Sequence, residues 1–108
     1  MILNIKTAED KEAELEAQAK TELKAAKELA LNSITVEVNG KVFDGNETAR
    51  GNMTSAILSA EVIGKTEDTW KLADNTSAVI TITELKEALA LSIQEVGKIA
   101  MVNSIEEL

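Results

Sequence analysis

The spacing of apolar residues changes along the chain, and each period predicts an element. Residues 7–31 (TAEDKEAELEAQAKTELKAAKELAL) are almost all strong helix formers. Leu15, Ala19, Leu23, Ala26 and Ala30 step by 4, 4, 3 and 4, which lays one narrow apolar stripe along a helix. Thr7 is the candidate N-cap, with Asp10 in the first turn, where the helix dipole favours negative charge. Glu16 and Lys20 form a supportive i,i+4 pair. Three of these five residues are alanine, so this helix needs a partner; a solvated helix with a thin packing edge is preferred to a coiled-coil seam, which would span fewer than four heptads and is imperfect. Residues 1–33 are read as a charged, alanine-rich helical arm and residues 34–108 as a small α+β unit, within one structural domain.

From Ile34 the period drops to two. In ITVEVNGKVF, Asn39-Gly40 sits between alternating β-branched residues, the signature of a two-residue type I′ hairpin. Pairing outward sets Val38 against Lys41 and Val36 against Phe43. Ile34, Val36 and Phe43 then face inward and Glu37 outward. Asp44-Gly45 turns the chain, and Asn46 caps a helix that runs to Ile63 and stops at Gly64. Its expected core face is Ala49, Met53, Ala56, Ile57, Ala60 and Ile63, with Arg50, Asn52, Thr54, Ser55 and Ser59 on other sides. Residues 68–82 read as a second hairpin. A loop at Asp74-Asn75-Thr76 places Trp70 against Ile80 and Leu72 against Ala78.

A long last helix starts at about Thr83. Thr81 and Glu84 have capping-box spacing, and Thr83 competes as N-cap. Ile82, Leu85, Leu89, Ile93, Val96 and Ala100 form its stripe, with Leu91, Met101, Val102 and Ile105 largely off it. Such a helix is apolar on more than one side and calls for cover on more than one side. Gly97 weakens it and leaves room for a close neighbour or a bend. The expected fold class is α+β in the order α-β-β-α-β-β-α, two small hairpins packed on a central helix and flanked by long N- and C-terminal helices.

Composition narrows the chemistry. The hydrophobic share is 44%, yet Phe43 and Trp70 are the only aromatics; 15 Ala, 11 Leu, 10 Ile and 7 Val must build the core. An aliphatic, alanine-rich core favours helix-on-helix packing, and a chain this short gains from sharing a core with a second copy. With no Cys and no His, thiolate nucleophiles, sulfur-bound zinc, imidazole bases and the Ser-His-Asp triad are excluded. A net charge of −8 opposes a nucleic-acid partner, because that affinity is dominated by Lys and Arg against phosphate. MILNIK at the start is too short for a membrane span, and polar residues interrupt Ala88–Val102, so no membrane partner is expected.

Carboxylates are the only abundant reactive groups. Asp44, Glu47, Glu61, Glu67, Asp68, Asp74 and Glu84 fall near turns or helix ends. D-G-N-E at 44–47 has a superficial likeness to a calcium loop but lacks its ligand run, so a turn and a cap are the expected roles. A metal-assisted hydrolase using Asp44/Glu47 and Asp68/Asp74 is the weakest of three function classes considered. The expectation is no enzyme, no cofactor and no metal site. The three N-x-[ST] sequons read as chance in an Asn- and Thr-rich stretch. Arg50, the sole arginine, is expected to pair with a carboxylate, and Trp70 to plug the core. The competing reading places both on a face that binds a small ligand or glycan.

The series V-x-V-N-G-K-V-F-D-G, N-E-T-A-R-G-N-M-T-S-A-I, D-T-W-K-L-A-D-N and T-x-x-E-L-K-E-A-L resembles an uncharacterised family of phage and prophage proteins often encoded beside tail-fibre genes. Gly40, Phe43, Asp44, Met53, Trp70, Asp74, Asn75 and Leu85 carry the likeness, over about two-thirds of the chain; Asn46 departs from it, standing where the family usually has an acidic residue. The resemblance implies a tail-associated accessory or structural role. The expectation is therefore a non-enzymatic tail-associated structural or fibre-assembly protein, in the bacterial or infected-host cytoplasm or in the virion. It would act as a homo-oligomer, with other phage tail proteins as further partners. Leu15, Leu23, Leu89, Ile93 and Val96 are the candidate interface or core residues.

Overall fold

The computed structural model describes residues 8–108, with side chains of the first helix from Glu14 onward. Thr7 and MILNIK lie outside the described residues. The elements are α1 (Ala8–Asn32), β1 (Thr35–Val38), β2 (Lys41–Asp44), α2 (Glu47–Ile63), β3 (Glu67–Lys71), β4 (Ser77–Thr81), α3 (Ile82–Ala100) and a terminal 3-10 turn (Ile105–Glu107). The architecture is α+β, with two separate antiparallel hairpins and three helices.

The first hairpin has the expected register, Val36 opposite Phe43 and Val38 opposite Lys41. Asn39 (φ 51°) and Gly40 (φ 78°) both take the left-handed conformation that a type I′ turn demands, which is why this dipeptide stands there. Ile34, Val36, Val38 and Phe43 are buried, and Glu37 faces out.

The second hairpin corrects the expected pairing. Trp70 lies opposite Ala78, and Asp68 opposite Ile80. The loop is Ala73-Asp74-Asn75, one residue earlier than the expected loop: Leu72 N–H donates to Thr76 O at 2.8 Å, and Asn75 carries the positive φ of 67°. Asp74 Oδ1 accepts from the Thr76 N–H (3.0 Å) and the Thr76 hydroxyl (2.6 Å), which draws Thr76 out of the loop and into the ladder. A slip of two residues keeps the same side chains on the same face, so the inward set survives while every partner changes.

Both later helices are capped as their sequences suggest. Asn46 Oδ1 accepts from Ala49 N–H at 2.9 Å, and Gly64 ends α2 in the left-handed region at φ 72°. Thr81 and Glu84 form a reciprocal capping box, and α3 begins at Ile82. The core gathers Phe43, Met53, Ile80 and Leu85, all fully buried, with Ile57, Ala60, Ile82 and Ala88 around them. Helix α3 packs on α2, β1, β4 and α1.

The expected core face of α2 stops short of its last residue, and that of α3 is rotated. On α2 Met53, Ile57 and Ala60 are buried, but Ile63 is 68% exposed, because the helix ends there and the chain leaves the core at Gly64. On α3 the buried line is Leu85, Ala88 and Ser92, while Ile93 is 56% exposed and Ala100 is exposed. Leu89, Leu91 and Val96 are half-buried on the flanks of that line. Small residues hold the centre because the backbone at Gly45 approaches α3 closely. A Cβ on Gly45 would collide with Ser92 Oγ and stand 2.6 Å from Ile34 Cγ2. The Ser92 hydroxyl is satisfied within its own helix, donating to Ala88 O at 2.7 Å. No neighbour approaches Gly97.

Helix α1 joins the core only near its end, through the half-buried Leu31. Lys27 Nζ donates to Ala100 O at 3.3 Å, a cation at the C-terminus of α3, where the dipole favours it. Residues 14–22 of α1 are exposed throughout. No helix among the described residues is long and apolar enough to cross a membrane.

Candidate functional site

Helix α2 presents Thr48, Asn52 and Ser55 at i, i+4 and i+7, a polar stripe beside its buried Met53 line. The stripe faces the end of β2 and the β3 strand. Between them lies a groove of about 540 Å³ lined by Asp44, Thr48, Asn52, Ser55, Trp70 and Lys71, with Asn46 and Ala49 completing it. That volume falls in the roughly 300–1,000 Å³ range of small-molecule sites.

Trp70 is half-buried and packs against the edge of the core, so the core-plug expectation holds for part of its surface. The rest contributes to the groove. Its indole N–H has no hydrogen-bond partner among the described residues, and it is not a buried orphan, so it stays open to solvent.

Other polar groups are committed to the fold. Asp68 takes bonds from Lys65 (3.1 Å) and from Thr69 N–H (2.8 Å), which lower its carboxyl below the usual carboxylate range, the Lys65 bond most strongly. Asp74 is likewise lowered by the Thr76 hydroxyl and then by the Thr76 N–H. Glu84 is held down at about 2, first by Thr81 N–H, then by Lys41 and Asn39. By contrast, no protein hydrogen bond or ion pair among the described residues engages the side chains of Asp44, Thr48, Asn52, Ser55 or Lys71. The unengaged polar groups of this part of the molecule are thus concentrated around one indole ring.

The expected face around Trp70 and Arg50 divides in two. Arg50 does not line the Trp70 groove. It borders a smaller hollow of about 250 Å³ with Glu28, Leu31 and Asn32 at the end of α1, together with Glu47. Its expected carboxylate partner is also replaced: Arg50 Nη1 donates to the Gly45 carbonyl at 2.7 Å, pinning the turn that enters α2. The reason is local, since the helical residue Arg50 sits one turn past Gly45 and its guanidinium reaches that carbonyl directly. Among the described residues no cluster of Asp or Glu is placed to hold a metal ion.

Of the candidate interface or core residues, Leu15 is 65% and Ile93 56% exposed, so neither belongs to the core of this chain. Leu23, Leu89 and Val96 are half-buried. Leu23 borders a shallow hollow with Ile105 of the terminal turn, so the C-terminal segment covers part of the α1 stripe. The stripe on α2 could have been found from the sequence by its spacing. Its apposition to Trp70 and Lys71 could not.

No curated protein and no solved structure matches the chain. A family model described as a domain of unknown function (DUF4376) matches residues 12–99, which include all three helices' packed portions and both hairpins, and the chain belongs to that family.

Proposed function

We propose that the protein is a non-enzymatic, tail-associated accessory of a phage or prophage, structural or active in tail-fibre assembly, and that it works by helix-mediated association. The observation that carries this reading is the exposed arm of α1. The helix has 25 residues, yet its apolar stripe from Leu15 to Ala19 is left to solvent, with Leu15 65% exposed. A long helix with an uncovered apolar stripe draws little stability from its own chain and gains by packing on another. The same reading assigns the exposed Ile93 to the outer side of α3, with the half-buried Leu89 on its flank. The family resemblance supports the tail association. The partners are a second copy and tail proteins rather than nucleic acid, in keeping with the −8 charge. The bacterial cytoplasm or the virion is the corresponding location.

Multi-angle light scattering of the full chain over a concentration series tests the association. Oligomers that Leu15→Gln or Leu23→Gln reduces to monomer, with helicity of residues 34–108 retained, support it. A strict monomer at the highest concentration overturns it. Co-expression with a phage tail-fibre protein tests the assembly role: fibre yield independent of this chain argues against that role.

A further inference from the structure

The groove between α2 and β3 has a make-up suited to one class of ligand. Its aromatic element, Trp70, gives an apolar face that can cover C–H groups. Around it stand a carboxylate (Asp44), an amide (Asn52), two hydroxyls (Thr48 and Ser55) and an ammonium (Lys71), none engaged by the protein. A ligand that matches must be apolar on one side and rich in hydroxyl donors and acceptors at its edge. A pyranose ring has that character: axial C–H groups on a face, hydroxyls around the rim. Carboxylate and amide groups can each serve more than one hydroxyl, Asp44 by accepting and Asn52 by both donating and accepting.

Charge selects further. Asp44 stands in the groove of a chain with net charge −8, which opposes phosphates and other anionic ligands, while Lys71 balances Asp44 locally. A neutral saccharide meets no such repulsion. The groove is also open rather than enclosed at about 540 Å³, which leaves the ends of a longer glycan free to continue into solvent. We propose that this groove is a binding site for a neutral pyranose saccharide, stacked on Trp70 and hydrogen-bonded by Asp44, Asn52 and Ser55. The site is independent of the association surface on α1 and α3.

Trp70 is the sole tryptophan, and the chain has no tyrosine, so intrinsic fluorescence reports on this groove alone. The test is a fluorescence titration of the full chain with glucose, galactose, N-acetylglucosamine and disaccharides of each, with adenosine as a flat aromatic control. The expected result is a saturable change with at least one saccharide, weakened about tenfold in Asn52→Ala by the loss of a hydrogen-bonding group and in Asp44→Asn by the replacement of a charged acceptor with a neutral amide. Lys98→Ala on α3, outside the groove, leaves the affinity unchanged. Asn52 and Asp44 are exposed and make no bond within the protein, and a melting temperature close to the parent's confirms that each variant is folded. Absence of a saturable change with every saccharide overturns the proposal. So does a change that Asn52→Ala and Asp44→Asn leave intact, or a response to adenosine alone.

Discussion

Lys41 Nζ meets the Glu84 carboxylate at 3.0 and 3.1 Å, tying the turn of the first hairpin to the first turn of α3. Asn39 Nδ2 joins the same carboxylate at 3.1 Å, and Thr81 N–H donates to it at 2.8 Å. One carboxylate therefore caps a helix and clamps a hairpin that is distant in sequence.

This clamp makes stability depend on pH in a definite direction. The folded protein holds Glu84 at about 2 against an ordinary value of 4.5. A carboxyl depressed by folding stabilises above its unfolded value and loses that contribution as pH falls through the folded one. Melting curves should show Glu84→Gln less stable than the parent at neutral pH. The gap should narrow from about pH 4.5 downward and close near pH 2. A gap unchanged between pH 7 and 3 would contradict the clamp.

Gly45 is required for close approach rather than for an unusual backbone angle. Gly45→Ala pushes a methyl group against Ser92 and Ile34 in a tightly packed place. Overpacking of this kind costs about 1–3 kcal/mol, which urea unfolding resolves.

Gly97 behaves in the opposite sense, because nothing stands within 4 Å of its missing Cβ. In a lone chain Gly97→Ala should stabilise α3 by about 0.5–1 kcal/mol. If the exposed side of α3 packs closely on a second copy, the same substitution weakens association. Urea unfolding at low concentration and light scattering at high concentration read the two effects separately.

Asn46→Ala removes the bond to Ala49 N–H and should cost about 1 kcal/mol, the usual value of an N-cap. Circular dichroism melts should show a lower midpoint with no loss of helix content at room temperature.

Local grammar was legible in advance. Asn39-Gly40 specified its turn, because few dipeptides accept two left-handed residues; Asn46, Gly64 and the Thr81/Glu84 pair marked helix ends through their own hydrogen bonds. The second hairpin was less legible. Its loop contains no such dipeptide, and two registers place the same residues inward. The choice between them fell to the Asp74–Thr76 bonds and to Ala73 N–H, which donates to Val42 O of the first hairpin at 2.9 Å. Ile93 misled for a related reason: periodicity gives the existence of an apolar stripe, not which flank of it a neighbour will cover.

The sequence alone determined the element order, the turn of the first hairpin and the caps of α2 and α3, since each depends on residues near one another in the chain, and its composition removed thiol and imidazole chemistry. Tertiary structure decided what depends on distant segments meeting. It rotated the buried face of α3 onto Ala88 and Ser92 because Gly45 arrives there. It also separated Arg50 from Trp70 and set Trp70 beside the Asn52 stripe instead. The groove exists only because the fold brings Trp70 and Lys71 of β3 to the hollow that Thr48, Asn52 and Ser55 of α2 also line, a juxtaposition that no local pattern encodes.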